Sequence, residues 1–158
     1  MPNTHETGCH QQRRVAGHAS RLHAYDLFNL LTGDALLDAA IGPYSGKTES
    51  EHALFPQLLG SISANDLILA DRYDCAYFVI ALIRAQGADV LFQQHQRRHT
   101  DFRKGRRLGA RDPVVAWPKP KIRPGWMTRE QYDAFPATLE IREVKIKSRV
   151  RVTTLCMA

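Results

Sequence analysis

Asp71 closes the segment Asn65-Asp-Leu-Ile-Leu-Ala-Asp71-Arg-Tyr73, an apolar run that ends on a carboxylate. Nucleic-acid phosphotransferases present a ligand for a hard cation in this way. Mg²⁺ takes six oxygens, and a two-metal phosphoryl-transfer site holds its ions about 3.5–4 Å apart, so several carboxylates must converge on it. Asp71 therefore needs partners, and the acidic residues nearest to it in the inferred sheet are Asp26, Asp38 and Asp74. Asp74 falls at the start of a predicted helix, where a negative charge stabilises the N-terminus. Asp26 and Asp38 lie within predicted strands with no motif around them and are expected on exposed strand faces. The alternative for Asp71 itself is a cap on the turn into the next helix.

A second chemistry-bearing group is cationic. Residues 97–123 hold ten Lys+Arg (Arg97, Arg98, Arg103, Lys104, Arg106, Arg107, Arg111, Lys119, Lys121, Arg123) against two Asp. That many phosphate contacts would dominate affinity for a nucleic acid and make it steeply salt-dependent. Phe102, Trp117 and Trp126 are interleaved with the charges and could stack on an unpaired base. Packing of the Trp rings against the core is the alternative. His5, Cys9, His10, His18 and His23 fit no zinc-ligand spacing. Cys75 and Cys156 have no neighbouring base to make either a nucleophile.

Length and composition set the frame for these groups. At 158 residues the chain is sized for one domain with a real core. No apolar run approaches the roughly 20 residues of a membrane span, and the polar first twenty residues lack the apolar stretch of a signal peptide. Three widely spaced cysteines argue against a disulfide framework, so a reducing, cytoplasmic setting is expected. The net charge of +6 conceals an asymmetry: residues 1–92 carry 6 Lys+Arg and 10 Asp+Glu, net −4, and residues 93–158 carry 16 and 6, net +10. The second part is the expected polyanion-facing surface.

The elements that must position these residues follow from pattern. Leu67–Ala70 is a continuous apolar run, which predicts a strand covered on both faces with Asp71 at its carboxyl-terminal mouth. Tyr25–Leu31 and Ala35–Ile41 read as a β-hairpin around Thr32-Gly33-Asp34. Ser50 can cap a helix carrying Leu54, Leu58, Leu59 and Ile62, which Pro56 should kink or delay. Cys75–Gln86 has helical spacing with Gly87 as its stop, and Asp89–Phe92 resumes a strand. The order β-β-α-β-α-β predicts one mixed sheet whose last two strands are parallel. Beyond it, Val114–Trp117 is a short strand, Thr128-Arg-Glu-Gln131 is a capping box, and Leu139–Ile146 and Val150–Leu155 are β-like. The apolar phase slips between Ile141 and Val144, which suggests a bulge.

Taken together, Met1-Pro-Asn-Thr4, Thr32-Gly33, Gly42-Pro-Tyr-Ser-Gly-Lys-Thr-Glu-Ser-Glu51, Leu69-Ala-Asp71-Arg-Tyr73, Asp112-Pro-Val-Val-Ala-Trp-Pro-Lys-Pro120, Leu139-Glu-Ile-Arg142 and Val152-Thr-Thr-Leu155 form an ordered series. With it the chain resembles the middle of a bacterial insertion-sequence transposase of the DDE class. More narrowly it is similar to the fourth insertion-sequence family, which carries a β-strand-rich insertion in a ribonuclease-H-like core. The resemblance implies an α/β fold: a ribonuclease-H-like mixed sheet lacking its first strand and last helix. The implied organisation is an irregular segment over 1–22, a partial core over 23–92, a basic β-rich insertion over 93–152 and a return to the core over 153–158.

The implied activity is DNA transposition by metal-dependent strand cleavage and strand transfer. Mg²⁺ or Mn²⁺ is the implied cofactor, and Asp71 the second carboxylate of the Asp-Asp-Glu triad. In the family the first Asp precedes a Met-Pro-Asp-Thr-like motif, with which this chain begins, and the Glu follows the Thr-Thr-Leu strand, after which Cys156-Met-Ala158 ends it. The expectation is thus a truncated transposase, inactive alone, with a non-catalytic DNA-binding module as the alternative. The family's DNA-contacting Arg corresponds to Gln93, with His95, Arg97 and Arg98 following closely. Implied partners are transposon-end DNA and a full-length transposase or complementary fragments, without a membrane. The implied location is the bacterial cytoplasm at the nucleoid.

Overall fold

The structure, a computed structural model, describes residues 22–29, 35–43, 51–147 and 152–158. The segment expected to be irregular over 1–22 lies outside them apart from Leu22, as do its histidines and Cys9, the turn at 32–34 and the motif residues 44–50. The side chains of His23 and Asp26 also fall outside the description.

Leu22–Asn29 (β1) and Ala35–Pro43 (β2) form the expected antiparallel hairpin, with one register shift between Leu27 and Phe28. The hairpin was expected in the same sheet as the Asp71 strand. It is instead a two-stranded sheet of its own. Ala40 anchors it, buried in a cluster with Leu54 and Leu58. Ser61 Oγ adds a hydrogen bond to Asp38 Oδ2 at 2.7 Å, so Asp38 is tied into this contact and does not simply face outward.

Pro56 shapes the next element as its chemistry requires. A single helical turn, Glu51–Leu54 (α1), tightens into a 3-10 helix over Phe55–Ser61 with the proline at its start. Proline has no N–H to donate, and the first turn is where that loss costs least.

The main sheet has six strands: Leu67–Ala70 (β3), Asp89–Gln93 (β4), Arg106–Gly109 (β5), Asp112–Pro118 (β6), Thr138–Lys147 (β7) and Val152–Met157 (β8). Their order is β3-β4-β8-β7-β6-β5. Only β3 and β4 are parallel, joined as expected through a helix, Tyr77–Ala85 (α2); the other neighbours are antiparallel. The architecture is mixed α/β. Strand β8 joins the strands of the basic segment to those of the Asp71 region in one sheet.

One face of this sheet carries the core. Val90 and Phe92 of β4, Cys156 of β8, Ile141 and Glu143 of β7, and Trp117 of β6 are all buried. Phe78, Val79 and Ile83 of α2 join the same cluster with the helical spacing read from the sequence, Leu82 packs against it half-buried, and Ile80 is buried with them. The helix ends at Gly87, whose φ of +80° places it in the left-handed region that terminates helices and that glycine enters without strain. A short helix, Arg129–Ala134 (α3), opens with the predicted capping box: Thr128 Oγ1 accepts from Gln131 N at 3.2 Å, and Gln131 Oε1 accepts from Thr128 N at 2.8 Å.

Two expectations are corrected here. Strand β3 is not covered on both faces: it lies at the edge of the six-stranded sheet, with Leu67 58% and Leu69 50% exposed while Ile68 and Ala70 turn inward. A continuous apolar run is compatible with a one-sided strand, so the run alone did not decide the matter. Nor does β7 carry the expected bulge. Its pairing with both neighbours runs without a register shift, and the inward position between Ile141 and Lys145 is filled by Glu143. A buried carboxylate interrupts the apolar pattern there while the backbone keeps its period of two.

Candidate nucleic-acid interface

Asp71 stands exposed immediately after β3, at the carboxyl-terminal end of the strand. Its Oδ1 accepts a hydrogen bond from Tyr73 N at 2.6 Å, which is the turn-capping role expected of an Asp at this point. Asp74 does not cap α2: the N-cap residue is Ala76, which makes no side-chain bond. Asp74 Oδ1 instead lies 3.5 Å from His52 Nε2, and the His52 ring packs on Tyr73 with centroids 4.5 Å apart. Neither Nε2 nor Oδ1 completes a hydrogen bond, so the two atoms approach without bonding geometry. His52 was not legible as a member of this cluster, because only the fold brings the one-turn α1 against the loop after β3.

Among the described residues no group of three or more His, Cys, Asp or Glu side chains is placed to hold a metal ion. Asp71 offers one exposed carboxylate with one oxygen already held by its turn. One carboxylate does not by itself supply the several convergent oxygens that a hard cation takes.

The basic residues are better defined. Leaving β4, the chain turns at His95, whose O accepts from Arg98 N at 2.9 Å and whose Nδ1 accepts from Arg97 N at 3.1 Å. Gln94 pins this turn by donating from N to Thr154 O at 2.8 Å and from Nε2 to Thr100 Oγ1 at 2.7 Å. Cys75, His95, Arg97, Arg98 and His99 line an open cavity of about 480 Å³ above it. From there the segment runs to β5 at the far edge, where Arg106, Arg107 and the neighbouring Lys104 and Arg111 are all exposed. Lys121 is exposed as well.

Other members of the predicted set are engaged within the protein. Arg103 forms a double hydrogen bond with Asp101, Nε to Oδ1 at 2.9 Å and Nη2 to Oδ2 at 3.3 Å, which holds the Asp101 carboxyl below its usual range. Lys119 Nζ donates to Tyr132 O at 3.1 Å and Phe135 O at 2.8 Å, satisfying carbonyls at the end of α3. Arg123 donates through Nη1 to Met127 O.

Trp117 is a correction to the expected base-stacking set. It is 1% exposed, its Nε1 donates to Glu143 Oε1 at 2.7 Å, and the Arg98 guanidinium lies 3.5 Å from its ring centroid. A ring covered in this way has no face for a base. Trp126 and Phe102 are half-buried, the former against the core and the latter 5.8 Å from Lys145 Nζ.

Cys75, in the irregular backbone between β3 and α2, and Cys156 of β8 are both buried in the same core cluster. The neighbouring Cys156, with the His95 backbone and the Arg98 charge, holds the Cys75 thiol below the usual range although burial opposes it. The Cys75 thiol and burial push Cys156 up. Comparison of the chain with protein-family models, curated proteins and solved structures finds no match.

Proposed function

We propose that this chain is a DNA-binding protein of the DDE transposase class, with a ribonuclease-H-like sheet, whose basic segment holds the phosphate backbone of a transposon end. The observation that carries the reading is the course of residues 94–111. They lead from β4 to β5, four strand spacings away, and display Arg97, Lys104, Arg106, Arg107 and Arg111 at exposed positions along the way. At about 4.8 Å per spacing the track is roughly 19 Å long. One strand of duplex offers about five to six phosphates over that length. Phosphate contact supplies affinity and register without reading bases, which accords with a surface rich in arginine and without an exposed Trp in its track.

In this reading Asp71 is one carboxylate of a metal-dependent polynucleotidyl transferase site, and strand cleavage requires further carboxylates from a full-length transposase or a complementary chain. The protein alone binds DNA, at the bacterial nucleoid, and leaves the strands intact. Incubation with Mg²⁺ or Mn²⁺ and supercoiled plasmid tests this, with Asp71→Ala run beside the wild type. Both proteins are expected to leave the plasmid supercoiled. Nicking by the wild type that Asp71→Ala abolishes would overturn the assignment of binding without cleavage.

A further inference from the structure

Two prolines stiffen the segment Lys119-Pro-Lys-Ile-Arg-Pro-Gly-Trp126, which runs from the end of β6 towards α3. Both of its ends are tied down. Before Ile122, Pro120 O accepts from the Tyr132 hydroxyl at 2.8 Å, and Lys119 Nζ donates to Tyr132 O and Phe135 O. After it, Arg123 donates through Nη1 to Met127 O, and Met127 is buried in the core. Ile122 between them is 85% exposed, the most of any large apolar side chain among the described residues.

A single apolar residue on a surface needs no explanation in itself. Ile122 differs in its setting. It is held out by a loop fixed on both sides, so little ordering entropy remains to be lost when it meets a partner. Lys121 and Arg123, both exposed, flank it with positive charge. The Arg98 guanidinium lies 3.5 Å from the ring centroid of Trp117, just before the loop leaves β6, so the loop departs beside the basic segment.

We propose that Ile122 is an apolar wedge that enters the minor groove of a bound duplex and parts one base step, with Lys121 and Arg123 on the flanking phosphates. This rests on the DNA-binding reading above and adds how the duplex is deformed. Proteins that bend DNA insert side chains of this kind between base steps, and the cost of unstacking is offset because bent DNA meets more of the protein surface. The loop would then favour sequences that unstack easily, a preference set by deformability and not by contacts to base edges.

The test titrates the intact chain into two short duplexes labelled at both ends with a donor and an acceptor dye, one fully paired and one with a central mismatch, where unstacking costs less. Wild-type protein is expected to bring the ends closer and to bind the mismatched duplex about tenfold or more tightly than the paired one. Ile122→Ala should melt with the wild type, lose the bend and bind the two duplexes within about twofold of each other, with an unchanged salt slope because every cation remains. Ile122→Met, which keeps an apolar wedge, should retain the preference. Equal bending and equal preference in wild type and Ile122→Ala would overturn the wedge and leave the DNA-binding reading standing, whereas no binding of either duplex at low salt would remove both. Capture by phosphatidylserine vesicles that depends on Ile122, with the duplex unbent, would assign the loop to a lipid surface and overturn the proposal as well.

Discussion

Glu143 is the residue on which the centre of the sheet turns. It is 2% exposed and accepts a hydrogen bond from the indole N–H of Trp117, itself buried beneath Arg98. A buried carboxylate is tolerated where a donor and a cation offset its loss of water, and the cost appears when one partner is removed. Glu143→Ala leaves the Trp117 N–H unsatisfied and is expected to lower stability by about 1–3 kcal/mol in chemical denaturation. Glu143→Gln keeps an acceptor at the same position and should lose distinctly less. Equal losses in the two variants would mean that volume, and not the hydrogen bond, holds Trp117. The cationic track divides at the same scale. Lys119, Arg123, Arg103 and Arg98 have partners within the protein, the last three at exposed positions, and Arg97, Lys104, Arg106, Arg107, Arg111 and Lys121, also exposed, carry the charge left for a ligand.

At the scale of elements, local chemistry was readable wherever a residue acts on its own backbone. Pro56 forces the change to a 3-10 helix, Gly87 ends α2, and Thr128 with Gln131 opens α3. What could not be read were partnerships across the chain. An apolar run such as Leu67–Ala70 does not say whether one or two faces are covered, and Glu143 looks like a fault in the pattern until Trp117 is beside it. His52 with Asp74 is likewise a product of tertiary contact, as is the burial of Cys75 and Cys156 in one core cluster. The turn into β5 gives an element-scale test. Gly105 has a φ of +82°, and a Cβ there would lie 2.3 Å from Val114 O. Gly105→Ala should therefore cost about 2 kcal/mol or more through left-handed strain and collision. Gly60, around which a Cβ meets nothing within 4 Å, is the control. Gly60→Ala is expected to be neutral or to stabilise by up to about 1 kcal/mol. A Gly105→Ala protein that melts with the wild type would show that the turn into β5 is not fixed as described.

Over the whole molecule, charge and core are segregated. One sheet face packs on α2 and its neighbours, and no helix of the described residues is long and apolar enough to cross a membrane. The positive charge gathers in the segment that joins β4 to β5 and in the edge strand itself, with Asp71 near the other edge, after β3. An edge strand bearing Arg106 and Arg107 is also protected from pairing with another sheet, because charged side chains disfavour that association. The reading of this surface as a DNA backbone track makes a quantitative demand. Binding of a labelled duplex, followed by fluorescence anisotropy across a salt series, measures how many phosphates are neutralised. With Arg97, Lys104, Arg106, Arg107, Arg111 and Lys121 in contact, log K against log salt should fall with a slope of about −5, and replacing Lys104, Arg106, Arg107 and Arg111 together with Gln should reduce its magnitude by about 3–4. Slopes that agree between the wild type and the fourfold variant, or no binding at low salt, would contradict the account.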